Sequence, residues 1–168
     1  MPAAQAFFRR IPEADRTFFK EDVLDGATVS SWAHDERSRR LVGVEEDGTV
    51  VGYAAVIPLH GWSSHVGELR VVTDPGRRRQ GLGRDLARRG LITAIELGLD
   101  KVVVEVVADQ TAAVAMFQAL GFEGEALLRD HVRDRDGKVR DLLVLAHGVQ
   151  DTHAILAATG IEDAVAGS

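Results

Sequence analysis

Apolar positions in the middle of this chain fall into short β-branched runs, interrupted by two segments with helical spacing. Arg40 to Glu45 and Val50 to Ile57 read as strands joined across Glu46-Asp47-Gly48-Thr49, where Asp-Gly is a hairpin turn signal. Glu68-Leu69-Arg70-Val71-Val72-Thr73 is a further strand, stopped by Asp74-Pro75-Gly76. From Leu82 the spacing changes: Leu82, Leu86, Leu91, Ile92 and Ile95 share one face of a helix that runs until Gly98. A strand at Lys101 to Val107 and a helix at Thr111 to Leu120 follow, and two last strands, Glu125 to Arg133 and Val139 to His147, flank an Asp136-Gly137 turn. Ahead of these, residues 4 to 11 predict a first strand. Helical patterns over Pro12 to Asp22 and Ala27 to Arg37 come next, with an apolar face at Phe18, Phe19, Val23, Val29 and Trp32. The predicted class is α/β (α+β), a single domain over residues 1–148 with a C-terminal tail, 149–168. Its sheet is mixed, mostly antiparallel, of about seven strands with helices on both faces.

The strand-to-helix junction Arg77-Arg78-Arg79-Gln80-Gly81-Leu82-Gly83-Arg84 carries the clearest chemistry. Glycines let the backbone approach a ligand, and the unpaired N–H groups of a helix's first turn point outward at a positive dipole end. That combination suits a pyrophosphate; a glycine-relieved turn with a solvated basic run fits the same residues. Two other phosphate loops fail on spacing. A dinucleotide fingerprint needs Gly where Leu86 stands, and a P-loop needs Lys-Ser/Thr where Arg84-Asp85 stand.

Composition narrows the field. Of 168 residues 45% are apolar, enough for one sizeable core. The chain has no cysteine, which excludes a disulfide framework, a thiolate metal site and a Cys nucleophile. A formal charge of −6 disfavours nucleic acid as a partner and suits a cationic acceptor such as an amine. The first ten residues lack the order of a signal peptide, and no apolar run approaches membrane-spanning length, so a cytoplasmic protein without a membrane partner is expected. His60 and His65 are five apart with no ligand set near them, and no metal is expected.

The order Arg78-x-x-Gly81-x-Gly83 between strand and helix resembles the acyl-CoA signature of the GCN5-related N-acetyltransferase superfamily. A second likeness lies in Val103 to Phe122, where the family shows a strand, an Asn, a short helix ending in Tyr, and Leu-Gly-Phe. Together the blocks cover roughly residues 40 to 148. The resemblance implies an acyl-CoA-dependent N-acyltransferase, most simply one that moves acetyl from acetyl-CoA to a primary amine by direct attack. The alternative it leaves open is an acyl-CoA-binding regulatory module with weak or no transfer. It also implies a central parallel strand pair that splays to admit pantetheine. Val71, Val72 and Thr73 would contact the cofactor arm through main-chain groups and polarise the thioester carbonyl. Arg78, Arg79, Gln80, Gly81, Leu82, Gly83 and Arg84 would hold its phosphates, Gln110 would stand for the family's Asn, and Phe117 would pack beside the cofactor.

An attacking amine must shed a proton, so a base is expected. Glu105 interrupts an apolar strand, where an unpaired carboxylate is costly to bury, and it falls where relatives that acetylate protein N-termini carry a glutamate base. A structural ion pair with Arg70 explains it equally. Glu68 on the neighbouring strand is the second candidate, and the two are expected to share a water. Phe117 stands where the family's Tyr donates a proton to the leaving thiolate, and a phenyl ring cannot do so. His131 and Tyr53 are weak substitutes, since such residues in strands usually only pack. Acceptors would enter over the early helices, the loop of His60, Trp62, Ser63, Ser64 and His65, and the final hairpin; Trp62 reads either as an aromatic wall or as a packing anchor. The acceptor is a small molecule or a protein N-terminus, and a homodimer through the final strands is compatible with this architecture.

Overall fold

The computed structural model describes residues 2–16 and 19–149. Six strands form one sheet in the order β1-β2-β3-β4-β6-β5. They are β1 (Arg39–Val44), β2 (Val50–Pro58), β3 (Val66–Thr73), β4 (Lys101–Val107), β5 (Glu123–Arg133) and β6 (Val139–Gly148). Neighbours are antiparallel except β3 and β4, which run parallel. Both expected Asp-Gly turns form, with Gly48 and Gly137 at positive φ, and each turn joins a hairpin.

Helices α4 (Leu82–Glu96) and α5 (Thr111–Ala119) cover one face of the sheet. Leu69, Val102, Val104 and Leu145 meet Ala87, Leu91, Ala94, Phe117 and Phe122 there. Helix α4 lies close on β3 because Gly90 faces Leu69, and a Cβ at Gly90 would stand 2.5 Å from Leu69 Cδ1. The other face carries α1 (Pro2–Arg10), α2 (Glu13–Arg16) and α3 (Gly26–Ser31). Its core is aromatic: the Phe8 ring stands 5.3 Å from Phe7, 5.6 Å from Phe19, 5.7 Å from Trp32 and 5.2 Å from Tyr53.

The strand expected over residues 4 to 11 is a correction. That stretch belongs to α1, so among the described residues the sheet has six strands and not seven. A strand would send Phe7 and Phe8 to opposite faces, yet both are fully buried in one cluster with Ile11 and the partly buried Ala4. The helices expected over Pro12 to Asp22 and Ala27 to Arg37 are much shorter. Among the described residues only Glu13–Arg16 and Gly26–Ser31 are α-helical there, the latter extended by a 3-10 turn at Trp32–His34. Asp25 caps α3 by accepting from the N–H groups of Ala27 and Thr28, but Gly, Thr, Val and Ser propagate a helix poorly. Phe18, expected on that apolar face, and the tail from residue 150 onward lie outside the described residues. Val149 is buried and its N–H bonds to the Asp100 carbonyl, which closes the packed unit.

Candidate active site

Strands β3 and β4 pair only over Val66↔Lys101, Gly67↔Val102 and Glu68↔Val103. Beyond that step the two part while each keeps its outer partner, β2 for β3 and β6 for β4. The hydrogen bond from Asp74 N–H to the Val51 carbonyl fixes which main-chain groups face which way. Alternation from it turns Val72 toward Tyr53 of β2 and leaves Leu69, Val71 and Thr73 facing the fork. Of the three residues expected to present main-chain groups there, Val71 and Thr73 do so and Val72 does not. On β4 the bond from Ala108 N–H to the Asp141 carbonyl likewise turns Glu105 and Val107 toward the fork.

The chain leaving β3 makes a tight loop before α4. Asp74 accepts from Gly76 N–H and from Arg10 Nε, which ties the loop to α1. Arg79 and Gly81 take positive φ values of 64° and 82°. Gly81 is the N-cap of α4 and supplies no side-chain bond, so the first-turn donors of Leu82, Gly83 and Arg84 have no side-chain cap. A Cβ at Gly81 would meet nothing within 4 Å, so the loop opens onto free space at this helix end. At Gly83 a Cβ would stand 3.4 Å from Met116 Sδ and 3.5 Å from Thr73 Cγ2, which lets the first turn pack against α5 and β3. Arg77 pairs with Glu45 at 2.6 Å and Arg78 with Asp15. Among the described residues Arg79 and Arg84 make no ion pair and are exposed. Exposed main-chain donors in the fork, an uncapped helix end and two free guanidinium groups suit a polyphosphate-bearing ligand that enters between strands.

On the opposite face Glu68 and Glu105 flank the fork. Glu68 is only 8% exposed and accepts from Arg70 Nε at 3.0 Å and Nη2 at 3.1 Å. The Lys20 ammonium lies 2.9 Å from Glu68 Oε1 and 2.8 Å from Glu105 Oε2. Burial pushes Glu68 toward protonation, but the Arg70 and Lys20 hydrogen bonds outweigh it and hold its pKa below the ordinary glutamate value. Burial equally works against the charge on Lys20, and the bonds to Glu105 and Glu68 raise its pKa above 10.5. Arg70, the ion-pair partner weighed for Glu105 as the alternative to a catalytic role, goes to Glu68; Glu105 pairs with Lys20, and its carboxylate is not buried in the sheet but partly open to solvent. The Lys20 ammonium thus bridges the two carboxylates. A cavity of about 340 Å³ opens on this face, lined among others by Phe19, Glu21, Arg133 and Arg135, between the early helices and the final hairpin.

The model of the acetyltransferase (GNAT) family matches residues 5–122. This chain belongs to that family. It is 38% identical over 120 residues to a mycothiol acetyltransferase of Kocuria rhizophila, an alignment covering 69% of this chain and 39% of the relative. Several curated relatives extend well beyond the match, and this chain spans about half of their length or less. The ribosomal-protein-alanine N-acetyltransferase of Brucella melitensis superposes with a TM-score of 0.75 at 25% identity, covering 88% of this chain and 93% of that one. A GCN5-related N-acetyltransferase of Kribbella flavida does so with a TM-score of 0.75 at 28% identity, over 88% and 90%.

Gln110 holds the N-cap position of α5 without a side-chain capping bond, while the neighbouring Asp109 is engaged by Arg140. Its carboxamide is not committed to the helix. Phe117 is 5% exposed and packs edge-to-face on Phe122 at 5.3 Å, so it belongs to the core and offers a ligand little surface. Tyr53 is buried in the aromatic cluster and His131 is exposed on β5. Trp62, at 97% exposure, packs against none of the described residues. Sequence reasoning missed Lys20. It is one of three lysines beside seventeen arginines, and that rarity was the available signal. It also missed His147, which is buried and whose Nδ1 lies 2.8 Å from the Gly121 carbonyl, holding the Leu-Gly-Phe turn onto β6.

Proposed function

We propose that this chain is an acetyl-CoA-dependent N-acetyltransferase acting on a primary amine. The observation that carries the reading is the fork. Main-chain groups of Leu69, Val71 and Thr73 line one of its sides, and the uncapped start of α4 continues the line of donors. Acetyl-CoA supplies the activated acyl group as a thioester. Val71 and Thr73 would hold its pantetheine arm and offer N–H donors to a carbonyl oxygen that gains negative charge during attack. The N–H groups of Leu82, Gly83 and Arg84, with the side chains of Arg79 and Arg84, would take the phosphates, and Gly81 leaves the room for them. Gln110 would bond the arm from the β4 side. Arg78, held by Asp15, would fix the loop more than the ligand.

Glu105 is the base we assign, because it is the more accessible carboxylate and its main chain faces the fork. Glu68 is committed to Arg70 and orients the site. The acceptor is a small molecule or a protein N-terminus; the names of the Kocuria and Brucella relatives include one of each kind. An acyl-CoA-dependent reaction needs an acyl-CoA pool, so we place the protein in the cytoplasm. Among the described residues no helix is long and apolar enough to cross a membrane. A homodimer would use β5, the edge strand on which Leu127 is exposed.

One observation favours a second reading, an acyl-CoA-binding module with little transfer. The buried Phe117 gives the leaving thiolate no proton from α5. A thiol that titrates near 8.5 leaves tolerably as the anion, so solvent protonation suffices for transfer. The test is calorimetric titration with acetyl-CoA, against ATP as control, followed by a turnover assay over a panel of amines. Saturable binding with CoA release that depends on amine supports the enzyme. Binding without amine-dependent release supports the module, and no binding removes both.

A further inference from the structure

Lys20 has no part in the reaction as assigned above, yet its ammonium occupies the place where that reaction would happen. It bridges 2.9 Å to Glu68 and 2.8 Å to Glu105, carboxylates on the two diverging strands. Glu68 closes the last paired step of the fork, and Glu105 stands two residues past it. The bridge therefore spans the mouth of the fork on the face that carries α1 to α3. Three carboxylates, Glu21, Glu68 and Glu105, meet two cations here, since Glu21 reaches Arg70 at 3.5 Å. Among the described residues Lys20 is the only cation on Glu105. Remove it, and an excess of two negative charges remains around a space shaped by an alkylammonium. The Lys20 side chain is itself 45% exposed, so it has solvent to move into.

We propose that Glu68 and Glu105 form a subsite for the primary ammonium group of the acceptor, and that Lys20 is its resident, displaced when the acceptor binds. This rests on the transferase reading. An entering alkylammonium donates to the same two carboxylates. Glu105 takes one of its protons, and the nitrogen lone pair then forms the bond to the thioester carbonyl carbon. The C–S bond breaks, the sulfur leaves with that electron pair and gains a proton from solvent, and the nitrogen releases its second proton to solvent. Acceptors that are cationic at the reacting nitrogen are selected. Alcohols lack the charge, and quaternary ammonium ions lack the N–H donors.

The experiment uses n-butylamine, which reproduces the end of a lysine side chain, with wild type, Lys20→Ala and Lys20→Met. Acetyl transfer is followed on protein saturated with acetyl-CoA, and binding of n-butylammonium is measured separately by calorimetry without cofactor. Lys20→Ala should lower the KM for n-butylamine at least tenfold and tighten its binding by a similar factor, while affinity for acetyl-CoA stays unchanged. Lys20→Met keeps the stem and loses the charge, so a smaller gain is expected from it. Adding Glu105→Gln to Lys20→Ala should cancel the gain, and n-butanol should show none. Unchanged KM and unchanged n-butylammonium binding in the folded variants would overturn the proposal and leave Lys20 a structural ion pair. If wild type fails to bind acetyl-CoA, the transferase reading falls, whereas the cofactor-free binding still decides whether the subsite exists.

Discussion

The two sides of the β3–β4 fork are made of different materials. Toward α4 the chain presents main-chain donors, positioned by Gly81 and Gly83 within one short loop. On the opposite face, side chains from three separate stretches meet: Lys20, Glu68 with Arg70, and Glu105. The first kind of surface depends on backbone conformation, and neighbouring residues determine that. The second depends on residues that only the finished fold brings together. A fold can therefore keep its cofactor side constant through a few local residues while the acceptor side varies freely.

The change with the largest expected effect on cofactor binding attacks the local side. Gly81→Glu places a carboxylate at an open helix N-terminus and a side chain at φ 82°. Left-handed strain costs about 1–2 kcal/mol and the new Cβ meets nothing, so the protein should stay folded. Acetyl-CoA binding should fall by more than about 100-fold through charge repulsion at the phosphates. Calorimetric titration reads this directly, and undiminished affinity would remove the loop from the cofactor site.

Legibility in the sequence follows the same division. The glycine loop, both Asp-Gly hairpins and the strand over Lys101 to Val107 could be read because each is set by spacing within a few residues. The parallel fork was expected only through the family resemblance, and β3 and β4 do part after Glu68 and Val103. The stretch ahead of β1 could not be read. Phe7 and Phe8 fit an apolar run of either kind, and burial of both rings on one face decided for a helix. The partner of Glu105 was equally out of reach, since Arg70 and Lys20 are both reasonable mates for a carboxylate on β4. The structure gives Arg70 to Glu68 and Lys20 to both glutamates.

Two substitutions probe the acceptor side. Phe8→Ala empties the centre of the aromatic cluster, where Phe7, Phe19, Trp32 and Tyr53 meet it. A destabilisation of about 3–5 kcal/mol is expected, read as a lowered urea midpoint. A shift under about 1 kcal/mol would mean that the early helices contribute little to holding this face. Glu105→Gln removes the assigned base while keeping shape. Transfer should slow about 100-fold, most strongly below the pKa of the acceptor amine, with cofactor affinity unchanged. An unaltered pH–rate profile would move the base to Glu68 or to solvent.

The smallest expected effect is a difference in pH dependence, and it separates the two glutamates. Glu68 has a folded pKa below the ordinary glutamate value of 4.5, because Arg70 and Lys20 outweigh its burial. The unfolded chain therefore binds more protons than the folded one between those two values, and stability rises with pH across that window. Its contribution is complete above about pH 4.5 and is lost as pH falls through the depressed value. Lys20 behaves oppositely: with a folded pKa above 10.5, its contribution is complete below that pH and is lost only as pH rises through the raised value. Unfolding free energies of wild type and Glu68→Gln should thus differ by a constant amount through neutral pH, and the gap should close on acidification below about pH 4.5. Other lowered carboxylates, Asp25, Asp35, Asp47, Asp74 and Asp134, titrate in both proteins and cancel in the comparison. A gap that persists unchanged into strong acid would mean that the Glu68 charge does no stabilising work. In that case the carboxylate would be held in the fork for the acceptor alone.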